Sequence, residues 1–496
     1  MTAGGLSYLD VLAAHARHIP RTVATVDERG ETTFGELWRA TEAVAVGLLA
    51  AGIGVGDRVV TAMVPGTRHL AVLLATMRAG AVAVPLNTRL TSAEARTFLG
   101  PLEPSLIVAD EFFAELTSAL APLPVVILPP SGGDLDAQLG PLWSVSELPA
   151  TLSGQRAAII FGTGGTTGLP KGAAWSHAAL WLYCASCQSN MDIRRTDVEL
   201  YFSPFFHVAL VTVLFSVLYA GGSVWMLPRF SEDTVLEALH TGRPTRMFGA
   251  PTALMRVVRD PACDPDRQSS VRRVLFGSAR SEPGLPASLR AAFPRTQLVT
   301  GYGATEFGAV TRLRSWEMRD GADLGVGRPV PGVVIDIADP DGRSMPRGAT
   351  GEVTVYTPWR MLGYWGRPAD VGGGVRSGDL GWLDDDGYLH LAGRAKDMVI
   401  TGGENVYPVE VEDVLAAFPG VLQSAVFGRP DELWGERIEA AVVCTAALDI
   451  GALTTFCRER LAGYKVPRRF HVVSELPLTA AMKVDKRRLR EDLADA

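Results

Sequence analysis

The chain has little of what marks a secreted or disulfide-stabilised protein. Its 496 residues include five cysteines, an odd and sparse set that argues against a disulfide framework and predicts a reducing compartment. Residues 1–10 contain no basic segment followed by an apolar stretch, so no secretory signal is expected there. Together these absences predict a cytoplasmic protein.

The cysteines also lack the spacing of a metal site. Cys184 and Cys187 form a C-x-x-C pair, but no second pair or nearby histidine lies at metal-ligand spacing. Packing on a helix is therefore the expected role of this pair, and we assign no metal to it.

Basic charge is also scarce. The formal net charge is −7, the sequence pI is about 5.7, and no run of basic residues with interleaved aromatics is present. Such a chain has no electrostatic footprint for a phosphodiester backbone, so we expect no nucleic-acid partner.

One uncharged stretch is long enough to raise the question of a membrane span. Residues 208–227 are twenty residues without a charge, but Gly221 and Gly222 interrupt them. What precedes the glycines has the length of a buried core helix, about a dozen residues over 207–220, and a strand is expected over 223–227. We predict no membrane span.

The remaining pattern is that of a large α/β protein. Hydrophobic residues make up 47% and charged residues 20%, as in globular proteins, and the length predicts more than one domain. Helical periodicity over residues 34–51 and 68–79 alternates with apolar strands over 58–63 and 81–85, which indicates parallel sheets covered by helices. A hairpin is expected over residues 382–391, and a small α+β domain after it. We expect domains at residues 1–395 and 396–496.

The most informative segment is Ala157 to Gly172, which reads AAIIFGTGGTTGLPKG. A short strand leads into a loop that contains Thr163, Gly164, Gly165, Thr166 and Thr167 and ends at Lys171. Glycines let backbone N–H groups approach an anion, threonines add hydroxyl donors and lysine adds a positive charge. The segment therefore predicts a loop that holds a polyphosphate.

The spacing excludes the two commonest nucleotide loops. A Walker loop needs a glycine immediately before its lysine, which Lys171 lacks, and Thr167 occupies the last glycine position of the dinucleotide fingerprint. A flexible linker would explain the glycines but not the three threonines and the Pro-Lys-Gly ending.

The loop resembles the T-[SG]-G-[ST]-T-G-x-P-K-G signature of the adenylate-forming superfamily, which includes acyl-CoA synthetases, adenylation domains and luciferases. The resemblance covers nearly the whole chain, and further motifs occur in the order typical of that family: Ser203–His207, Phe276–Ala279, Gly301–Glu306, Ser377–Asp379, Gly393–Asp397 and Gly402–Asn405. It implies a large N-terminal domain of packed β-sheets with helices and a small, mobile α+β C-terminal domain.

The resemblance also implies a reaction. An enzyme similar to acyl-CoA synthetases, of the fatty-acid–CoA ligase type, would use ATP and Mg²⁺ to convert a carboxylic acid to an acyl-adenylate and then transfer the acyl group to coenzyme A. Two alternatives remain open: a free-standing adenylation enzyme that loads a carrier protein, and a nucleotide-binding protein that has lost turnover. Because the segments that border the acyl site are apolar, we expect a hydrophobic monocarboxylic acid as substrate. Its identity and the oligomeric state, with a homodimer among the alternatives, stay open.

Matching positions in the family motifs suggest a nucleotide site. Glu306 would bind Mg²⁺, Asp379 the ribose hydroxyls, Arg394 the ribose or a phosphate, and Tyr302 would stack on adenine. The other residues predicted to surround the nucleotide are Thr163, Gly164, Gly165, Thr166, Thr167, Lys171, Gly277, Ser278, Ala279, Gly301, Gly303 and Thr305. The first four residues each have a structural alternative. Glu306 could be a surface helix-cap glutamate, Asp379 an ordinary turn aspartate, and Arg394 part of a surface salt bridge. Tyr302 could be a buried core tyrosine.

The resemblance assigns catalysis to Lys483, His207, Glu306, Thr163 and Lys171. Lys483 would bridge the carboxylate and the α-phosphate, with Lys486 as its rival, and His207 would border the acid and the pantetheine tunnel unless it is a core histidine. Two positions depart from the family. Gly164 occupies a position where the family most often has serine. Met482 occupies the position of the glycine that precedes the catalytic lysine, and a methionine there could slow adenylation.

Overall fold

The structure of this protein is a computed structural model. It describes residues 5–128, 139, 153–163, 171–279, 281, 284–318, 325–367, 373–445, 448–478 and 484–493. The chain forms two compact units, one made of Met1–Val334 and Val355–Val375 and the other of Ile335–Thr354 and Arg376–Ala496. By this division residues 376–395 fall in the second unit. The predicted border near residue 395 separates a fixed part from a mobile C-terminal domain. It stays a prediction, because compactness does not show which segments move together.

The first unit contains a seven-stranded sheet with a parallel centre. In spatial order its strands are Gly363–Tyr364, Lys171–Ser176, Ala157–Thr163, Val82–Pro85, Arg58–Ala62, Leu106–Asp110 and Val125–Leu128. The last five run parallel, and the first two join as antiparallel neighbours. The parallel strands are short apolar runs because helices cover both faces of such a sheet.

The first unit also contains a nine-stranded sheet. Its spatial order is Arg328–Pro329, Thr311–Arg314, Gln297–Thr300, Arg273–Phe276, Arg246–Gly249, Val198–Tyr201, Ser223–Met226, Val23–Asp27 and Gly30–Thr33. Strands from Gln297–Thr300 through Val23–Asp27 are parallel, and the outer pairs are antiparallel. A separate hairpin pairs Gly303–Ala304 with Gly308–Ala309.

Helices cover these sheets. The α-helices described in the first unit are Tyr8–His18, Phe34–Ala50, Thr67–Arg78, Ser92–Leu99, Ala114–Ser118, His177–Asn190, Ser216–Tyr219, Glu232–His240, Pro251–Arg259 and Leu285–Ala292. Short 3₁₀ turns lie at Gly100–Leu102, Glu111–Phe113 and Pro265–Gln268. The helix Phe34–Ala50 begins at a capping box in which Thr33 and Glu36 satisfy each other's backbone N–H groups. The helices and strands predicted over residues 34–85 are confirmed to within about one residue at each end.

The uncharged stretch around residue 215 differs from its prediction in detail. A π-helix over Leu210–Phe215 is followed by one α-helical turn, Ser216–Tyr219, and the strand Ser223–Met226 begins after Gly221, whose φ is +81°. The buried segment is therefore not one regular α-helix from residue 207. Among the residues that the structure describes, no helix has the length and apolar character needed to cross a membrane.

The hydrophobic core explains the cysteine pair. Cys184 and Cys187 lie on the helix His177–Asn190 and are fully buried as free thiols, whose pKa values burial raises. They pack with Tyr8, Trp175 and Phe215 in the largest hydrophobic cluster of the first unit. This confirms helix packing as the role of the C-x-x-C pair.

The described part of the second unit has two sheets. A four-stranded sheet has the order Val334–Ala338, Gly351–Tyr356, Val375–Leu383 and Leu389–Arg394. The other sheet has the order Glu404–Val406, Val399–Thr401, Gly435–Cys444 and Val421–Asp431, with Arg469–Val472 parallel to Gly435–Cys444. Its helices are Pro408–Ala416, Ile450–Arg458 and Lys486–Asp492, with 3₁₀ turns at Ala395–Asp397 and Gly463–Lys465. The predicted hairpin is confirmed, and its turn residue Gly387 has a φ of +83°.

Together the two units confirm the predicted fold class, an α/β protein with a large N-terminal part of β-sheets and helices and a smaller α+β C-terminal part.

Candidate active site

The glycine-rich segment starts and ends on two paired strands. The strand Ala157–Thr163 lies antiparallel to Lys171–Ser176, and Thr163 is directly opposite Lys171. Thr163 is buried and Lys171 is half-buried. Gly164, Gly165, Thr166 and Thr167 lie outside the described residues. The register thus places the two described members of the predicted phosphate loop side by side.

Glu306 lies in the tight turn of a hairpin. The turn residues 305–307 connect the strands Gly303–Ala304 and Gly308–Ala309, and the Glu306 side chain is half-buried. Gly308 has a φ of +66°, and a Cβ there would come within 2.5 Å of the Tyr183 ring. A turn this close to an aromatic ring requires glycine at that position. The alternative of a helix-cap glutamate is wrong, since Glu306 belongs to no helix.

Three successive backbone carbonyls hold this turn in place. The indole Nε1–H of Trp175 donates to the Thr305 carbonyl at 2.8 Å, and the indole of Trp359 donates to the Phe307 carbonyl at 3.1 Å. Between them, the backbone N–H of Met361 donates to the Glu306 carbonyl at 2.8 Å. Because each carbonyl of the turn is bonded, the backbone that carries the Glu306 carboxylate has little freedom to shift.

Tyr364 links Glu306 to Lys171. Its hydroxyl donates to Oε1 of Glu306 at 2.6 Å, and Nζ of Lys171 lies 5.1 Å from the centroid of its ring. The tyrosine is positioned by backbone pairing with Ala173, two residues after that lysine. The arrangement brings two predicted site residues, an acid and a base, onto one aromatic side chain.

Tyr364 is not among the residues predicted from the sequence. The signal available was the Gly363-Tyr364-Trp365-Gly366 run, an aromatic pair between glycines, both of which have positive φ, +139° and +73°. Conformations of this kind commonly mark places where the backbone is held for a specific purpose.

Two predicted adenine-binding segments follow neighbouring parallel strands. Gly277, Ser278 and Ala279 come after Arg273–Phe276, and Gly301, Tyr302 and Gly303 come after Gln297–Thr300. Carboxyl ends of adjacent parallel strands meet at one edge of a sheet, the usual location of ligands in open α/β folds. A Cβ on Gly277 would lie 3.8 Å from the Gly301 carbonyl oxygen, so the structure brings the two segments together.

The backbone of these segments is unusual in two places. Ser278 has a φ of +70°, a left-handed conformation that is uncommon for a residue other than glycine. A Cβ on Gly301 would lie 2.1 Å from the Thr311 carbonyl oxygen, so only glycine fits there. Strain of this kind concentrates at functional sites.

Tyr302 is held inside the protein. Its side chain is 7% exposed, its ring centroid lies 5.9 Å from that of Phe307, and its backbone N–H donates to Oγ1 of Thr311 at 2.8 Å. Stacking of this ring on adenine stays a prediction, alongside the core tyrosine alternative.

Asp379 and Arg394 lie in the second unit and form an ion pair. They are opposite each other on the strands Val375–Leu383 and Leu389–Arg394, with Nε of Arg394 2.7 Å from Oδ1 of Asp379. Gly378, which precedes the aspartate, has a φ of +71°, and the arginine also donates from Nη1 to the Ser377 carbonyl at 3.2 Å. The salt bridge foreseen as the alternative for Arg394 thus exists, and its partner is another predicted site residue.

His207 comes before the π-helix Leu210–Phe215. Its Nδ1 accepts a hydrogen bond from the backbone N–H of Ala209 at 3.1 Å, so in the neutral ring Nε2 carries the proton. The half-buried ring therefore has a fixed tautomer and orientation. This suits a hydrogen-bond donor toward a carboxylate.

The predicted catalytic lysine, Lys483, lies outside the described residues, as does Met482. Its rival Lys486 is described. Nζ of Lys486 lies 2.7 Å from Oε1 of Glu412 and donates to the Val426 carbonyl at 2.9 Å. Lys486 is thereby engaged in a structural ion pair of the second unit, which disfavours it as the lysine that contacts substrate.

The donors present fit a magnesium ion bound together with a nucleotide. In the part of the chain that the structure describes, no cluster of three or more His, Cys, Asp or Glu residues could hold a metal by protein ligands alone. Mg²⁺ in nucleotide sites takes one or two carboxylates and completes its shell with phosphate oxygens and water. Glu306, a carboxylate whose described hydrogen-bond partner is the neutral Tyr364, meets that requirement.

The fold and the sequence motifs fit a nucleotide-binding enzyme outside the Walker and dinucleotide-binding classes. The chain belongs to the family of AMP-binding enzymes. The model of that family matches residues 12–365, and the model described as the AMP-binding enzyme C-terminal domain matches residues 410–483. The predicted membership of the adenylate-forming superfamily is confirmed.

Known relatives cover almost the whole chain. The chain is 36% identical over 487 residues to a feruloyl-CoA synthase from an Amycolatopsis species, with 96% of each protein covered. It is 31% identical to the fatty acid–[acyl-carrier-protein] ligase ScoC of Streptomyces coeruleorubidus, covering 96% of this chain and 94% of the ligase.

A solved structure shows the same fold. The chain superposes on the O-succinylbenzoate coenzyme A synthetase MenE of Bacillus subtilis, in complex with ATP and magnesium ion, with a TM-score of 0.85 and 28% identity. The match covers 98% of this chain and 99% of that enzyme. ATP and Mg²⁺ are thus the ligands of a relative that shares the complete fold.

Proposed function

We propose that this protein is an ATP- and Mg²⁺-dependent acyl-CoA synthetase. It activates a hydrophobic monocarboxylic acid as an acyl-adenylate with release of pyrophosphate and then transfers the acyl group to the thiol of coenzyme A. The observation that carries the proposal is that Lys171, which ends the glycine- and threonine-rich segment, and Glu306 both contact Tyr364.

The chemistry requires such an arrangement. Attack of a carboxylate on the α-phosphate brings two anions together, so positive charge must be positioned before the reaction begins. Lys171 supplies a cation beside Thr163, and Lys483 is proposed from its motif as the second lysine. Glu306 would hold Mg²⁺, which supplies charge neutralisation at the phosphates when bound.

The nucleoside contacts are proposed from position and geometry. Asp379 would accept hydrogen bonds from the ribose hydroxyls, and Arg394 would contact the ribose or a phosphate while it orients the aspartate. Gly277, Ser278 and Ala279 would border adenine, together with the 301–303 segment. The left-handed backbone of Ser278 at the end of a parallel strand supports this assignment.

The acid is proposed to bind beside the Glu306 turn. The ring centroid of Tyr183, a residue next to Gly308, lies 5.5 Å from that of Trp175 and 5.9 Å from that of Trp359, so a buried aromatic cluster supports this turn from the core side. Nε2–H of His207 would donate to the carboxylate. The name of one relative refers to a feruloyl group and that of another to a fatty acid. Because the two names point to different kinds of acid, a role in fatty-acid metabolism stays a prediction.

One assay tests the proposal and separates it from its alternatives. Pyrophosphate release is measured with ATP, Mg²⁺ and a panel of aryl and aliphatic acids, first alone and then with coenzyme A or an acyl-carrier protein. A coenzyme A thioester is the expected product. Thioester on the carrier protein alone would favour the second candidate, to which the resemblance to the carrier-protein ligase points. Nucleotide binding without pyrophosphate release for any acid would indicate lost turnover.

We further propose that the C-terminal domain, residues 396–496, reorients about Lys396 between the two steps. Lys396 is exposed within the short 3₁₀ turn Ala395–Asp397, and the preceding Gly393 has a φ of +137°. A few such residues can absorb a domain rotation. The substitution Lys396→Pro fixes φ near about −65° and should impair one half-reaction far more than the other in single-turnover assays. Equal losses in both would contradict the hinge.

Localisation and assembly are also proposed. Free cysteines, with Cys184, Cys187 and Cys457 buried, support residence in the reducing cytoplasm. Light scattering of the purified protein would decide between a monomer and a homodimer.

A further inference from the structure

The segment of residues 359–365 connects two parts of the candidate site. One is the turn of residues 305–307, which carries Glu306, and the other is the strand Lys171–Ser176. Toward the turn, Trp359 and Met361 bond the carbonyls of Phe307 and Glu306. Toward the strand, the N–H groups of Leu362 and Trp365 donate to the carbonyls of Ala174 and Gly172 at 2.7 and 2.8 Å. This segment therefore helps to set the position of the Glu306 turn relative to the Lys171 strand, together with the direct bond from the Trp175 indole of that strand to the Thr305 carbonyl.

Tyr364 is the side chain of that segment that reaches both charges. Among the described residues, its hydroxyl is the one hydrogen-bond donor to the Glu306 carboxylate, at 2.6 Å from Oε1. Hydrogen bonds from a hydroxyl to a carboxylate in this distance range are charge-assisted and directional. The bond fixes one carboxylate oxygen and thereby the direction of the other.

The same residue holds Lys171 by its ring face. The ammonium lies 5.1 Å from the ring centroid, within the range of a cation–π contact. No ion pair is found between Lys171 and an acid within the described parts of the chain. A neutral aromatic ring restricts the lysine without cancelling its charge, which stays available for an anion.

We propose that Tyr364 is a positioning residue of the adenylation site, with two separable actions. Its hydroxyl orients Glu306 toward Mg²⁺, and its ring orients Lys171 toward the nucleotide phosphates. The inference rests on the proposed function, because it takes Glu306 as the metal ligand.

The two actions can be separated by substitution. Tyr364→Phe removes the hydroxyl and keeps the ring, and Tyr364→Leu removes both. Tyr356→Phe serves as the matched control, since Tyr356 is exposed and lies in a different sheet, at the end of the strand Gly351–Tyr356. Melting temperatures of all variants establish that each is folded.

The first measurement does not depend on turnover. Binding of Mn²⁺ in the presence of ATP, followed by electron paramagnetic resonance, should be weaker by about tenfold in Tyr364→Phe, the usual cost of removing a partner of a metal ligand. Tyr356→Phe should bind as the wild type does. Wild-type Mn²⁺ affinity in Tyr364→Phe would overturn the proposal.

The second measurement is acid-dependent pyrophosphate release as Mg²⁺ is varied. In Tyr364→Phe the half-saturating Mg²⁺ concentration should rise by about the same factor, and the rate should recover at saturating Mg²⁺. A loss that high Mg²⁺ does not recover would mean a structural role and would also overturn the proposal. In Tyr364→Leu, the KM for ATP at saturating Mg²⁺ should rise further, by roughly threefold to tenfold.

Failure of the proposed function would look different. Glu306→Gln should weaken Mn²⁺ binding in the presence of ATP by more than Tyr364→Phe does, because it removes the charge of the proposed ligand itself. If Glu306→Gln retains wild-type Mn²⁺ binding, the metal assignment itself is wrong. If it loses binding while Tyr364→Phe does not, only the role of Tyr364 is wrong.

Discussion

Glu306 and Asp379 are two carboxylates predicted to contact the same nucleotide, yet they have opposite kinds of partner. Glu306 accepts a hydrogen bond from the neutral hydroxyl of Tyr364, whereas Asp379 forms an ion pair with the guanidinium of Arg394. The first keeps its full negative charge for a cation. The charge of the second is largely compensated, which suits an acceptor of neutral ribose hydroxyls. The partner, and not the residue type, distinguishes the two proposed roles.

The same contrast appears in the backbone. Glu306 is in a hairpin turn in which each carbonyl of residues 305–307 is bonded, and Asp379 is in a long strand opposite its partner. A turn held at three points fixes a side chain for coordination, which demands accurate geometry. A strand position fixes it through its cross-strand neighbour.

The largest expected effect comes from removing the uncompensated charge. Glu306→Gln keeps the size of the side chain and an oxygen for Tyr364 but removes the negative charge, so acid-dependent pyrophosphate release should fall by about 100-fold or more. The control is Glu111→Gln, at an exposed position. Activity of Glu306→Gln within about threefold of wild type would show that charge at this position is not what matters.

A smaller effect is expected at the compensated carboxylate. Asp379→Asn removes one charged hydrogen-bond acceptor, worth about 1.5 kcal/mol, so the KM for ATP should rise by about tenfold with a smaller change in kcat. Asp341→Asn is the matched control, because Asp341 also pairs with an arginine, Arg343, but on the surface. Equally severe losses of kcat in Asp379→Asn and Glu306→Gln would contradict the different roles proposed for the two carboxylates.

The smallest effect concerns the stability contributed by the pair. The Arg394 side chain is 38% exposed, so solvent screens its attraction to Asp379. A double-mutant cycle of Asp379→Asn and Arg394→Gln in urea unfolding should give a coupling below about 1 kcal/mol. A coupling above about 2 kcal/mol would make the pair chiefly structural and remove the contrast with Glu306.

The features that depend on local spacing could be predicted from the sequence alone. The alternation of apolar strands and helices predicted the parallel sheets, and Asp-Gly before Tyr388 predicted the hairpin turn at Gly387. The glycine- and threonine-rich segment excluded the common nucleotide loops and, with the motif around Glu306, indicated the family. These inferences succeed because backbone preferences and motif spacing act over a few residues.

Contacts between side chains that are distant in sequence could not be predicted and are seen in the folded chain. Tyr364 is 58 positions from Glu306 in the chain, and its role follows from the pairing of a two-residue edge strand with the hairpin after Lys171. The π-helix of Leu210–Phe215 and the left-handed Ser278 also differ from what their sequence alone predicts. Such features depend on sheet register and on packing between distant segments, which no local pattern encodes.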